Sequence, residues 1–174
     1  MLTYRRKAYI RYLANQLIKD VTNSTPQFFL EQIEVTIKYA YLDPVSKDAI
    51  MCSTKQGLLI IVNTNFKNSN RIRFTLAHEL GHIILGHFNN NEQFCKRMIG
   101  ENIFYLGETK ELEEEANYFA SNFLMPSELL HNLYCTDELY ICYLSEICSV
   151  SPQAAEIRIN NFYKEEIGLN RSIQ

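Results

Sequence analysis

The stretch Asn70-Arg71-Ile72-Arg73-Phe74-Thr75-Leu76-Ala77-His78-Glu79-Leu80-Gly81-His82-Ile83-Ile84-Leu85 decides how the rest of the chain is read. Its apolar residues recur at helical spacing, so the pattern predicts a helix over about 70–85, ending where Gly86 offers a common stop signal. Within it, His78-Glu79-Leu80-Gly81-His82 matches H-E-x-x-H. Residues four apart share one helix face, so two imidazoles can serve one metal, while Glu79 between them can act on a water at that site. With 4 His in the chain, a chance match of this kind is expected about once in a hundred such sequences. The bland alternative is two helix histidines satisfied by nearby carboxylates. Gly81 leaves room on the helix for a close approach.

A catalytic zinc takes three protein ligands and keeps one position open, so one more donor is required. The metzincin pattern would place glycine three and histidine six residues after His82, but Leu85 and Phe88 stand there. His87 is therefore read as an exposed histidine near the helix end, where a cationic side chain is favoured. The remaining donors are Glu111, Glu113, Glu114 and Glu115, at the start of a second helix expected over about Thr109 to Leu124. Most of these fit a solvated first turn. Glu113 lies at the margin of the apolar stripe, above Ala116, Asn117, Ala120 and Leu124, where it can turn inward. Glu115 stands next as an alternative. Asn117, one turn after Glu113, can accept a hydrogen bond from a ligand histidine's free ring nitrogen.

Upstream, about Tyr4 to Lys19 reads as an amphipathic helix. After the Asn23-Ser24-Thr25-Pro26 break and a short apolar run, Val35 to Tyr41, Ala49 to Ser53 and Leu58 to Asn63 read as short strands. The expected fold class is α+β, a small antiparallel sheet packed on a zincin-type active-site helix, with a helical C-terminal part. All of 1–174 is expected to form a single metallopeptidase domain: an N-terminal helix and sheet (1–66), the metal-site helices (67–126) and a helical tail (127–174). The last tail helix is expected to start with Ser151 as its cap and Pro152 in its first turn. If Leu58 to Asn63 is the sheet edge over a cleft, it can bind substrate as an added strand.

The length of 174 residues, with 47 % hydrophobic and 21 % charged content, suits one globular domain. The longest aliphatic run, Leu58 to Val62, is far short of the roughly 20 apolar residues a membrane helix needs, and a membrane-spanning reading is excluded. Arg11, Asn15, Gln16 and Lys19 interrupt any signal-peptide core. The five cysteines, at 52, 95, 135, 142 and 148, contain no pair at knuckle spacing and read as buried free thiols, which points to the cytoplasm. Residues 1–100 carry 13 basic against 7 acidic residues (+6), and residues 101–174 carry 4 against 13 (−9). Segments 137–148 and 152–163 have helix-turn-helix proportions, yet Arg158 is the only basic residue in the supposed recognition helix, so no direct nucleic-acid binding is expected.

Residues 71–82, followed by Glu113-Glu114-Glu115-Ala116-Asn117-Tyr118-Phe119-Ala120 and Leu124-Met125-Pro126, resemble the ImmA/IrrE family of metallo-endopeptidases. The resemblance is near-verbatim over 71–126 and looser upstream. It implies Zn2+ on His78, His82 and Glu113, with Glu79 as catalytic base. Asn117 stands where the wider class of zinc peptidases often has Asp. The resemblance also implies a substrate class: helix-turn-helix repressors of mobile genetic elements or of stress responses. With no DNA-binding segment seen before the sheet, the expectation is a stand-alone anti-repressor protease acting on a repressor in trans. The competing reading is a non-catalytic regulatory module that binds and sequesters such a repressor; Glu79 favours the enzyme, because a structural site needs no extra carboxylate.

Overall fold

The structure is a computed structural model that describes residues 2–19, 25–42, 48–65, 68–87 and 109–167. Within them the chain is α+β, with the order α1 (Tyr4–Lys19), α2 (Pro26–Gln32), β1 (Thr36–Ala40), β2 (Ala49–Thr54), β3 (Gly57–Asn63), α3 (Ser69–Ile84), α4 (Lys110–Leu124), α5 (Ser127–Cys135), α6 (Ile141–Cys148) and α7 (Pro152–Phe162). A π-helical turn, Tyr163–Ile167, extends α7.

Helix α2 falls in what reads as a plain apolar run. Its signal is local: Thr25 accepts from Phe28 N–H as the N-cap, and Pro26 occupies the first turn, where its missing N–H costs nothing. Ser151 caps α7 in the same way, accepting from Ala154 N–H. Gly86, at φ +69°, ends α3. There Gly86 N–H bonds to Ile83 O and His87 N–H to His82 O, the paired bonds of a Schellman turn.

The sheet has the order β1-β3-β2. The expected antiparallel pairing holds for β2 and β3, joined through the Lys55-Gln56 turn, with Thr54 opposite Gly57. β1 instead lies parallel to β3, Ile37 opposite Ile60, so the sheet is mixed. This corrects the idea of β3 as an edge: both its sides are paired, leaving no free ladder for a substrate strand. Asn63, fully buried at the end of β3, accepts at Oδ1 from Leu42 and Asn65 N–H groups and pins the chain leaving the sheet.

One apolar cluster runs through all of these elements, from Ile10 and Leu30 through Ile60, Val62, Leu76 and Leu80 to Phe119, Leu130, Leu144 and Ile159. Helix α4 is central, packed against α3 on one side and α1 on another. It buries Ala116, Phe119, Ala120 and Phe123, while Phe119 and Phe123 stack at 6.0 Å. Arg158 is enclosed in the tail at 1 % exposure, donating to Met125 O and Ser127 Oγ and pairing with Glu166 at 3.1 Å. The basic residue of the supposed recognition helix therefore faces inward. Cys52 and Cys148 are buried, but Cys135 and Cys142 are exposed, which corrects the reading of all the thiols as buried; Cys95 lies outside the described residues.

Candidate metal centre

Helices α3 and α4 lie side by side, and Gly81 lets them approach. A side chain there would meet Phe119 and the Ala116 carbonyl. The close approach anticipated at Gly81 is thus made by α4, and it carries Glu113 to the histidine face of α3.

There, His78 Nε2 and His82 Nε2 stand 3.0 Å apart. Glu113 spans them, Oε2 lying 3.3 Å from His78 Nε2 and Oε1 3.3 Å from His82 Nε2. These three residues form the cluster able to hold a metal among the described residues. Tetrahedral bonds of about 2.0–2.1 Å separate neighbouring donors by roughly 3.3 Å, so the donor set fits a small divalent ion. The electrostatics agree. Burial opposes a charge on His78, but its hydrogen bond to Glu113, with Glu79 and Asn117 nearby, outweighs that and raises its pKa. Hydrogen bonds to protons on His78 and His82 Nε2, the positions a metal would take, hold the Glu113 carboxyl well below the usual carboxylate range. The centre thus favours positive charge.

Asn117 Oδ1 lies 3.0 Å from His78 Nδ1, the relationship expected from its place one turn after Glu113. If Asn117 accepts there, His78 holds a proton on Nδ1, so that Nε2 is the nitrogen that would give up its proton to a metal. Glu79, next to His78 on α3, is half-buried.

His87 and Glu115 sit behind the cluster. His87 is buried, not exposed at the helix end, because the Schellman turn folds the residue after Gly86 back over the last turn of α3. Its Nδ1 lies 2.9 Å from His82 Nδ1, and its Nε2 lies 3.0 Å from Glu115 Oε2. Glu115 also receives both arms of the Arg6 guanidinium, at 2.6 and 2.5 Å. The alternative third donor is therefore engaged by Arg6 and His87, while Glu113 faces the two histidines. Spacing within α4 did not reveal this, since Arg6 comes from α1, more than a hundred residues away in sequence. The signal for His87 was Gly86, which sets the following residue over His82.

Among solved structures, the fold resembles that of a Mycobacterium tuberculosis transcriptional regulator, with a TM-score of 0.57 over 91 % of this chain at 12 % identity. The chain spans 47 % of that protein, about half its length. No curated protein sequence matches the chain. The family model Peptidase_M78, described as the IrrE N-terminal-like domain, matches residues 31–160, a span that contains both α3 and α4, and the chain belongs to this ImmA/IrrE family of metallopeptidase-like proteins.

Proposed function

We propose that the chain is a zinc-dependent endopeptidase in which His78, His82 and Glu113 hold the metal and Glu79 is the catalytic base. The observation that carries this reading is the convergence of three donor atoms, 3.0–3.3 Å apart, beside a carboxylate that the H-E-x-x-H spacing sets on the same helix. Zinc, when bound, supplies Lewis acidity that makes water nucleophilic near neutral pH and polarises a carbonyl. Glu79 takes a proton from water at its carboxylate and delivers it to the leaving amine, which needs no other acid. His78 and His82 present Nε2 lone pairs, and Asn117 fixes the ring of His78.

The substrate in this reading is a helix-turn-helix transcriptional repressor of a mobile element or stress response, cut at one site. Support comes from the family resemblance and from a fold shared with a transcriptional regulator. The same reading makes 1–174 a single domain, supported by the apolar cluster that joins α1 to α7. Its setting is the cytoplasm; no helix among the described residues is long and apolar enough to cross a membrane. Direct nucleic-acid contact is not part of it, because the one cation of α7 is buried.

The test uses zinc-loaded protein incubated with helix-turn-helix regulators encoded beside its gene, with fragments read by mass spectrometry. Wild type cuts one regulator at one bond, whereas Glu79→Gln keeps zinc and does not cut. Cleavage by Glu79→Gln would overturn the role of Glu79. A stable, uncut complex with zinc-loaded wild type would favour the sequestering module.

A further inference from the structure

We propose that Arg6, Glu115 and His87 form a positioning relay that fixes the tautomer and orientation of His82, so that α1 completes a metal centre otherwise built from α3 and α4. The inference rests on the zinc reading above and adds to it three residues with no direct access to the metal. Arg6 also lies N-terminal to the span 31–160 that the family model matches.

Proton accounting along the chain of contacts carries the argument. The forked Arg6–Glu115 pair, at 2.6 and 2.5 Å, keeps Glu115 a carboxylate, which can only accept. His87 Nε2, 3.0 Å from Glu115 Oε2, must then donate. In a neutral imidazole that leaves the lone pair on His87 Nδ1, which faces His82 Nδ1 at 2.9 Å and so accepts from it. His82 therefore holds a proton on Nδ1, so that Nε2, the atom 3.0 Å from His78 Nε2 and 3.3 Å from Glu113, is the nitrogen that would give up its proton and present a lone pair to a metal.

Without the carboxylate at the far end, His87 could present either nitrogen to His82, and His82 could turn an N–H toward the metal position. With it, one tautomer is selected. The two ligand histidines are thus fixed by different means: His78 by the exposed amide of Asn117, His82 by a buried imidazole with a charged anchor behind it. His87 and His82 are both buried, so water is a poor substitute for the missing partner. The Schellman turn at Gly86 supplies the geometry, because it holds His87 against His82 while leaving His87 Nε2 for α4.

The experiment measures zinc affinity by competition with a chromophoric chelator, together with melting in EDTA and long-range 1H–15N spectra of the imidazoles in zinc-free protein at pH 8. Outer partners of ligand histidines typically contribute about 10- to 100-fold in metal affinity. His87→Leu is expected to lose about that much and to move the His82 proton away from Nδ1. His87→Asn, which offers an amide oxygen near the position of Nδ1, is expected to stay within a few-fold of wild type. Arg6→Gln, altering only a half-exposed side chain, serves where His87→Leu fails to fold, and is expected to lower affinity several-fold. Wild-type affinity in a folded His87→Leu or in Arg6→Gln would overturn the relay and leave the zinc reading standing. A wild type that takes up no zinc would overturn both.

Discussion

Gly81 and Phe119 touch with no room for a side chain between them: a Cβ on Gly81 would lie 3.0 Å from Phe119 Cδ1 and 3.2 Å from both Phe119 Cβ and the Ala116 carbonyl oxygen. Because one of those atoms is backbone, the strain cannot be relieved by a rotamer change alone. Gly81→Ala would gain up to about 1 kcal/mol of helix propensity, yet overpacking of this kind costs about 1–3 kcal/mol. The expected net loss is up to about 2 kcal/mol, or as much as roughly 4–8 °C in melting temperature for a chain of this size. Zinc affinity falls too, since Glu113 rides on the displaced helix. Melting with and without EDTA separates the two effects, and a variant clearly more stable than wild type would contradict the contact.

Glu113→Ala tests the donor set directly. Elemental mass spectrometry should find near one zinc per chain in wild type and clearly less in the variant, because two histidines alone make a weak site. Glu115→Gln should still take up zinc when zinc is in excess, with the lowered affinity expected of Arg6→Gln, since its carboxylate lies on Arg6 and His87. Full zinc retention in Glu113→Ala would dismiss Glu113 as the third ligand.

Arg158 anchors the tail from inside. Removing one partner of a buried ion pair is expected to cost about 3 kcal/mol, at the low end of the usual range because Glu166 also pairs with Arg11 at 3.3 Å. Arg158→Ala should therefore melt roughly 6–12 °C lower. Urea denaturation checks the value, and a loss below about 1 kcal/mol would mean that the carbonyl of Met125 and the hydroxyl of Ser127 find other partners.

The thiols should divide by exposure. Cys135 and Cys142 are expected to react with iodoacetamide within minutes in the native protein, with Cys52 and Cys148 protected. Burial also pushes the Cys148 thiol up to about 11, which leaves little thiolate at neutral pH. Peptide mass spectrometry after alkylation reads each site, and rapid labelling of Cys148 would show that the α6–α7 packing opens easily.

Proline at Ile60 separates a central strand from an edge. Ile60 is fully buried and paired on both sides, opposite Ile37 and Met51. Ile60→Pro should abolish cooperative folding, and metal uptake with it, rather than only weaken substrate binding. A folded, zinc-binding variant would contradict the sheet order.

The amino-acid sequence by itself determined what depends on neighbours along the chain. Apolar periodicity placed α1, α3, α4 and the strands, while Thr25, Ser151 and Gly86 set ends that are local hydrogen-bonding events. The H-E-x-x-H spacing set His78 and His82 on one face, and the apolar margin of α4 marked Glu113. What required the tertiary structure was every relation between distant segments. Parallel pairing of β1 with β3 rather than β2 depends on how strands stack, which period-two patterning does not encode. The choice between Glu113 and Glu115 depended on what faces α4, and Arg6 from α1 takes one carboxylate while the histidines of α3 meet the other. His87 spans both cases: its position follows from the glycine before it, but its partner Glu115 comes from α4.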